Sequence, residues 1–556
     1  MTRFRNSFGE NIFKAKYSQG PDDTWDKLAD RLVEDVCGSR WGTLPVLMNE
    51  GDRKQLAQYI KKMQFIPGGR YLYYAGRPYK AYNNCFLLRA EEDTREEWSN
   101  VTWRSMSCLM TGGGIGIDYT RLRASGKALS RTGGTASGPI PLMYAINEIG
   151  RNVMQGGSRR SAIYGSLSWQ HEDIGDFLTA KNWSPELRGL KEKDFNFPAP
   201  LDMTNISVNY DDTSLGGYLK DVKGNIVANS LAENPVFIEN CKQALKTGEP
   251  GFSFNFGKKQ NETLRNACTE VTSEDDSDVC NLGSVNLGNI PDLETFESVV
   301  SLASKFLVCG TLRADLPYEK VYKIREKNRR LGLGLMGIHE WLLKRGQKYE
   351  VTPELKEWLK VYQQESEKSA NEHCDRFYIS RPVAYRAIAP TGSIGILAGT
   401  TTGIEPLFAV SYKRRFLSEG TKWKYQFVVD GTAQTLIRDF GISPDAIETA
   451  VDLSDKYEQR IKFQADIQDY VDMSISSTIN LPEWGSESNN EGTVARFTET
   501  LGKYATRLRG FTCYPNGARG GQPLTSVPYG EALKNKDVIF EEMDVCDLTG
   551  AGSCGV

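Results

Sequence analysis

The chain has 556 residues, far beyond the ~100–200 of a typical domain, and its 39% hydrophobic and 25% charged content excludes a disordered or fibrous protein. Its 68 Lys+Arg against 71 Asp+Glu leave a net charge of -3, so no global basic field exists to hold nucleic acid or an anionic membrane. A small-molecule substrate is the default.

In chain order, residues from Asp23 to Phe65 read as helical, with Trp25, Leu28, Leu32 and Val36 at three- to four-residue spacing before Gly38 breaks the run. From Asn83 onward, short β-rich runs alternate with helices: Cys85–Leu88, Ile115–Tyr119, Ala162–Leu167, Asn205–Asn209 and Ser393–Ala398 as strands, with Glu354–Phe377 and Pro444–Val451 as helices. This rhythm is α/β, and no repeat of 20–50 residues interrupts it. The division expected is an N-terminal helical segment over 1–75, one catalytic unit over 76–535 and a small-residue tail over 536–556 that carries Cys546 and Cys554.

The first residues, Met1 to Glu10, contain no apolar leader core, and no run of ~18 apolar residues occurs, so a cytoplasmic protein is expected. Eleven cysteines with irregular spacing are unlike the framework of a small secreted domain and point to reduced thiols. With no Cys-x-x-Cys and only His171, His339 and His373, all far apart, no metal held by the chain itself is expected.

The segment that carries chemistry is Asn266-Ala-Cys268-Thr-Glu270, which sets amide, thiol and carboxylate at alternate positions, so that an extended or looped chain turns all three to one side. A cysteine also opens the strand-like run Asn83-Asn84-Cys85-Phe-Leu-Leu and another opens Cys280-Asn-Leu-Gly-Ser-Val-Asn-Leu. In order with them stand Gly112-Gly-Gly-Ile-Gly-Ile-Asp-Tyr-Thr-Arg-Leu-Arg123, Gly156-Gly-Ser-Arg-Arg-Ser-Ala162, Arg329-Arg-Leu-Gly-Leu-Gly-Leu-Met-Gly337 and Ala389-Pro-Thr-Gly-Ser-Ile394. From about residue 64 to 526 this pattern resembles the catalytic subunit of a ribonucleotide reductase.

The resemblance implies a ten-stranded α/β barrel in which a central finger loop carries Cys268 as the radical-forming cysteine. It implies Glu270 as general base for the 3′-hydroxyl and Asn266 as the group that holds the sugar hydroxyls, with Cys85 and Cys280 as the reducing pair that ends as a disulfide. Burial protects a thiyl radical from side reactions. Cys546 and Cys554 would re-reduce that disulfide by exchange, drawing on a thioredoxin- or glutaredoxin-like partner. Asn84 and Gly114 would line the substrate site, and Pro390, Thr391, Gly392, Ser393 and Ile394 would cradle the phosphates of a ribonucleoside di- or triphosphate. Gln155, Arg159 and Arg160, with Asp93 and Arg123, resemble the loop and pocket through which dNTP or ATP effectors set specificity, and a homodimer is expected by the same analogy.

Gly510-Phe-Thr-Cys-Tyr-Pro-Asn-Gly-Ala-Arg519 and Thr400-Thr-Thr-Gly-Ile-Glu-Pro406 are similar to the adenosylcobalamin-dependent class, and no Tyr-Tyr pair stands in the last third. The alternatives are a large subunit that needs a separate metal-containing radical generator and a nucleotide-binding barrel without catalysis. No ATP-cone module precedes the first strand, so overall on/off control by ATP and dATP is not expected. Gly332-Leu-Gly-Leu-Met-Gly337 matches the dinucleotide fingerprint literally, but it follows a charged run and is set aside.

Overall fold

The computed structural model describes residues 4–39, 45–153, 161–194, 197–222, 224, 226–418, 422–518, 524–535 and 538–541. Three helices come first: α1 (Ser7–Lys16), α2 (Trp25–Cys37) and α3 (Glu50–Lys61), each opened by a side-chain cap from Asn6, Thr24 or Asn49. The predicted stripe Trp25, Leu28, Leu32 and Val36 is buried. The continuous helical reading to Phe65 is corrected, because the chain stops at Cys37, resumes at Glu50 and enters a strand at Phe65.

The strands that follow are β1 (Phe65–Pro67), β2 (Cys85–Arg89), β3 (Gly114–Asp118), β4 (Ile163–Ser168), β5 (Thr204–Tyr210), a surface hairpin β6 (Tyr218–Lys220) and β7 (Ile226–Asn229), β8 (Gly251–Phe254), the short β9 (Leu264–Arg265) and β10 (Thr272–Ser273), β11 (Asp278–Asn286) and β12 (Leu331–Met336). Later come β13 (Ser411–Ser418), β14 (Lys422–Val429), β15 (Thr478–Leu481), β16 (Gly510–Pro515), β17 (Leu524–Ser526) and β18 (Ile539–Glu541). Ten of them form one mixed sheet in the order β1-β11-β2-β3-β4-β5-β8-β16-β15, with β12 paired to β11. Isolated parallel bridges join Leu333 to Arg386 and Ile388 to Ile475. The architecture is α/β, as expected.

β2, β3, β4, β5 and β8 run parallel, in a register that sets Cys85 beside Gly114, Ile115 beside Ile163, Ile163 beside Thr204 and Ser207 beside Gly251. Their N-terminal ends therefore form one rim. β16 runs antiparallel to β8, with Gly510 opposite Ser253, so its C-terminal end reaches that same rim.

Two further expectations fail. Ser393–Ala398 is not a strand: Gly392–Ala398 is a helix whose buried residues Ile394, Leu397 and Ala398 follow the three-to-four spacing, and the apparent alternation Ile394-Gly395-Ile396 misled. Pro444–Val451 is helical only over Pro444–Ala446, a single 3₁₀ turn, after which the Ala450 amide bonds to Leu407 O at 2.7 Å. The helix Leu293–Arg313 is long and apolar enough to cross a membrane by length and composition, and 67% of its apolar window is buried in the protein. A second sheet, β17-β13-β14-β18, takes the chain out to Glu541.

Candidate active site

β9 and β10 pair Arg265 with Thr272 and Leu264 with Ser273, and the connection 266–271 projects from them. It is a closed loop rather than an extended run. The Thr269 amide bonds to Asn266 O at 3.0 Å, the Val271 amide bonds to the Asn266 side-chain oxygen at 2.9 Å, and Thr269 holds φ +70°. Below the loop the guanidinium of Arg265 donates to Asn255 Oδ1 at 2.7 Å and Arg509 O at 3.1 Å. Glu262 Oε2 receives Thr272 Oγ1 at 2.6 Å and Arg509 at 3.0 Å. Both legs of the loop are thus tied down.

The loop can lie on the sheet because of a glycine. A Cβ on Gly116 would stand 1.7 Å from the Arg265 carbonyl oxygen, which no side chain allows. Gly112 is equally constrained, with φ +87° and the Arg70 guanidinium where a Cβ would go. The glycine-rich run 112–116 is the sheet's accommodation of the loop and of Arg70.

Asn266, Cys268 and Glu270 all line one cavity, together with Asn84, Cys85, Gly114 and, from the opposite wall, Pro390, Thr391, Gly392, Ser393 and Ile394. Asn266 and Glu270 are 1% exposed, whereas Cys268 is only half-buried. The Asn266 Nδ2 donates to Cys85 Sγ at 2.9 Å, and that sulfur lies 3.8 Å from Glu270 Oε1. Cys85 faces Cys280 directly across the antiparallel β2–β11 pair. Such partners hold their Cβ atoms about 4.5–5.5 Å apart, close to the separation a disulfide spans. Cys280 itself stands behind Cys85, with Gly332 leaving room for its sulfur.

Burial pushes the Glu270 carboxyl up to about 7, against hydrogen bonds from Asn266, its own backbone and Cys85 that pull it down. Burial also raises the thiols of Cys85 and Cys280, the first further raised by Glu270 and the second by Asp278. Glu270 Oε2 and Asn84 Oδ1 are buried acceptors without a hydrogen-bond partner among the described residues. Two buried orphan acceptors on one cavity call for a ligand with hydroxyl donors.

Thr391 stands at φ +52° before the helix 392–398, its hydroxyl accepting from the Gly403 amide at 2.8 Å. Ser393 Oγ accepts from Lys16 Nζ at 3.3 Å, which brings α1 over the mouth. Asp93 precedes Thr94, the cap of the helix Arg95–Met110, and forms an ion pair with Arg123 in a wide groove that also includes Lys127 and His171. Gln155, Arg159, Arg160, Cys546 and Cys554 lie outside the described residues. Sequence reasoning missed Tyr17, Gly68, Gly69 and Arg70 of the cavity wall, and gave no site role to Ala162 and Ser284 within the motifs it singled out. The turn-forming Pro67-Gly68-Gly69 was the one available signal. The glycines of 332–337 serve packing, with Gly334 against Ala387 O and Gly337 against Asn286 and Gly288.

A loop-borne thiol, a carboxyl and two buried strand thiols are thus gathered at one end of the sheet. Residues 83–213, 190–364 and 381–505 match the family described as ribonucleotide reductase, barrel domain, and the chain belongs to that family. Among curated relatives, the vitamin B12-dependent ribonucleoside-diphosphate reductase of Mycobacterium tuberculosis (strain CDC 1551 / Oshkosh) is 26% identical over 550 residues, covering 88% of this chain and 75% of that one. The protein of the same description from Thermoplasma acidophilum is 25% identical over 543 residues, covering 88% and 68%. The ribonucleoside-diphosphate reductase large chain of Schizosaccharomyces pombe is 28% identical, but over 306 residues that cover only 48% and 37%.

Proposed function

We propose that this protein is an adenosylcobalamin-dependent ribonucleotide reductase that converts ribonucleoside di- or triphosphates to 2′-deoxyribonucleotides. The observation that carries the reading is the meeting of Cys268, Glu270, Asn266 and Cys85 on one cavity with two orphaned buried acceptors. Its relatives support the cofactor, since the B12-dependent proteins match across 88% of the chain and the fission-yeast large chain across 48%.

Cys268, as a thiyl radical, abstracts the ribose 3′-hydrogen. Glu270 Oε2, unpartnered among the described residues, accepts the proton of the 3′-hydroxyl, and Asn266 and Asn84 orient the sugar. Cys85 and Cys280, kept as thiols by burial, supply two protons and two electrons as the 2′-hydroxyl leaves as water and a hydrogen takes its place, and they finish as a disulfide, while Cys268 returns the hydrogen to the 3′ carbon. The segment 390–394 holds the phosphates on the far wall. Cys546 and Cys554 shuttle reducing equivalents from a thioredoxin- or glutaredoxin-like protein, in keeping with a cytoplasmic setting where thiols stay reduced.

The side chains fit a cofactor held by its periphery rather than by a protein imidazole. His339 accepts the Leu407 amide inside the core, His373 packs on Cys309, and His171 bonds Leu122 O beside the effector groove. Half-exposed Thr512 and Tyr514 of β16, which starts beside Thr269, offer polar contacts instead. Adenosylcobalamin, when bound, supplies the oxidising equivalent that converts the Cys268 thiol to its radical.

The ten-stranded sheet is taken to close into a barrel over 76–535, with 266–271 as its finger loop, and the bridges at Arg386 and Ile388 support this. Residues 1–75 form the N-terminal segment and 536–556 the tail. The Asp93–Arg123 groove is the proposed site of dNTP or ATP effectors, at the interface of a homodimer.

Anaerobic protein with adenosylcobalamin, a dithiol and a ribonucleotide is expected to form deoxyribonucleotide without a second subunit. Activity that appears only on adding a metalloprotein would overturn the cofactor assignment and favour the two-subunit alternative.

A further inference from the structure

A second cleft is lined by Lys181, Trp183, Arg188, Lys246, Glu249 and Ala518. Its position is set by three contacts with the rim of the sheet. Lys181 Nζ donates to Thr204 O at 2.6 Å, and the next residue, Asn205, donates through Nδ2 to Ala267 O at 3.4 Å, adjacent to Cys268. Gly248, beside Thr247 and Glu249, packs so closely on β16 that a Cβ there would lie 3.1 Å from Cys513 O and 3.4 Å from Pro515. Ala518 then closes the cleft just beyond the end of β16.

The Cys268 loop therefore stands between two hollows on the same rim. The first, at the ends of β2, β3 and β4, holds the groups that read a ribose and the phosphate segment. The second, at the ends of β5, β8 and β16, is cationic. Lys181 is already engaged by Glu249, but Arg188 and Lys246 are exposed and have no carboxylate partner among the described residues. Trp183, half-buried and anchored by its Nε1 donating to Pro200 O at 2.9 Å, adds an aromatic face. Two uncompensated cations beside a fixed indole suit a phosphate that carries an aromatic base.

We propose that this cleft receives the nucleotide tail of the cobalamin, with Arg188 and Lys246 on its phosphate and Trp183 against its benzimidazole. The inference rests on the cofactor assignment above and extends it to a subsite. Cofactor tail and substrate would then reach the Cys268 loop from different hollows. Arg188 and Lys246 touch neither the Cys268 loop nor the substrate cavity, so they act on cofactor affinity and not on the reacting atoms.

The test compares two corrinoids on the full-length protein: cobalamin, and cobinamide, which lacks the phosphate, ribose and base. Binding is read by equilibrium dialysis and by quenching of tryptophan fluorescence, without turnover. Arg188→Ala/Lys246→Ala is expected to weaken cobalamin about five- to tenfold, the scale of two partly exposed charge contacts, and to leave cobinamide unchanged. Charge reversal at both positions should weaken cobalamin further. Equal loss of both corrinoids, or no loss of either, would overturn the subsite while leaving the cofactor assignment in place. A wild-type protein that binds neither corrinoid would overturn the cofactor assignment and the subsite with it. Both side chains are exposed, so an unchanged melting temperature in the variants is expected and certifies the comparison.

Discussion

Two pairs of buried thiols in this protein make an instructive contrast. Cys85 and Cys280 face each other across β2 and β11 at the edge of the cavity that Cys268 lines, whereas Cys37 and Cys309 meet within the helical layer, at the end of α2 and on the helix Leu293–Arg313. Electrostatics alone would choose the wrong pair. Burial resists ionisation in both, but His373 Nε2 at 3.3 Å and a hydrogen bond from Cys37 draw the Cys309 thiol down, while Cys37 itself is pushed up. At the cavity, burial and the charge of Glu270 keep Cys85 protonated. A reductant that must hand a proton and an electron to a substrate needs the thiol form, and it needs access. Of these four thiols only Cys85 lines the cavity, with Cys280 directly across the strand pair behind it, so the helical pair is read as structural despite its more thiolate-like member.

The contrast is sharpest at Cys268, the one described cysteine that is half-buried rather than buried. Cys268→Ser is expected to abolish turnover while nucleotide binding, measured by dialysis, persists; retained turnover would remove Cys268 from the chemistry. Cys280→Ser should stop sustained turnover with a dithiol, because a lone Cys85 cannot form the disulfide. Quantifying product per enzyme separates the two variants, since Cys280→Ser retains a competent Cys268. If Cys280→Ser cycled normally and Cys309→Ser did not, the assignment of the two pairs would have to be exchanged.

Glu270 contributes a smaller and pH-dependent effect. Burial holds its carboxyl up at about 7, and in the proposed mechanism only the deprotonated form would accept the 3′-hydroxyl proton. kcat/KM should therefore fall about tenfold per pH unit below that value, a slope set by loss of one proton acceptor. Glu270→Gln should lower the rate by about 10²–10⁴ and flatten this acidic limb. A limb that survived the substitution would assign the ionisation to another group.

The chemistry-bearing residues were legible because they sit in short local patterns: a trio at alternate positions, and cysteines that open β-rich runs. Their convergence was not. Gly116 tells nothing alone, yet it is what lets Arg265 cross the sheet and aim the loop. The helix 392–398 read as a strand because Ile394-Gly395-Ile396 mimics a two-residue period, and only tertiary burial of Ile394, Leu397 and Ala398 decides for the helix. The cationic cleft draws on 181–188, 246–249 and 518, three segments with no common motif, so only the fold assembles it. Likewise nothing in the spacing of Cys37, Cys309 and His373 announces that they touch.

That last cluster supplies the smallest effect. If Cys309 is structural, Cys309→Ala removes the sulfur from a fully buried site and leaves the buried His373 Nε2 without its partner. The expected cost is about 1–3 kcal/mol, from the cavity and the orphaned nitrogen together, read as a lower urea midpoint at unchanged slope. Cys309→Ser keeps a hydrogen-bonding group near the imidazole and should cost less. Equal losses would attribute the stability to packing and not to the thiol–imidazole contact. In either case turnover should stay at the wild-type rate, because neither change reaches the cavity, and a variant that folded normally but lost turnover would show that the helical thiols take part in the redox cycle after all.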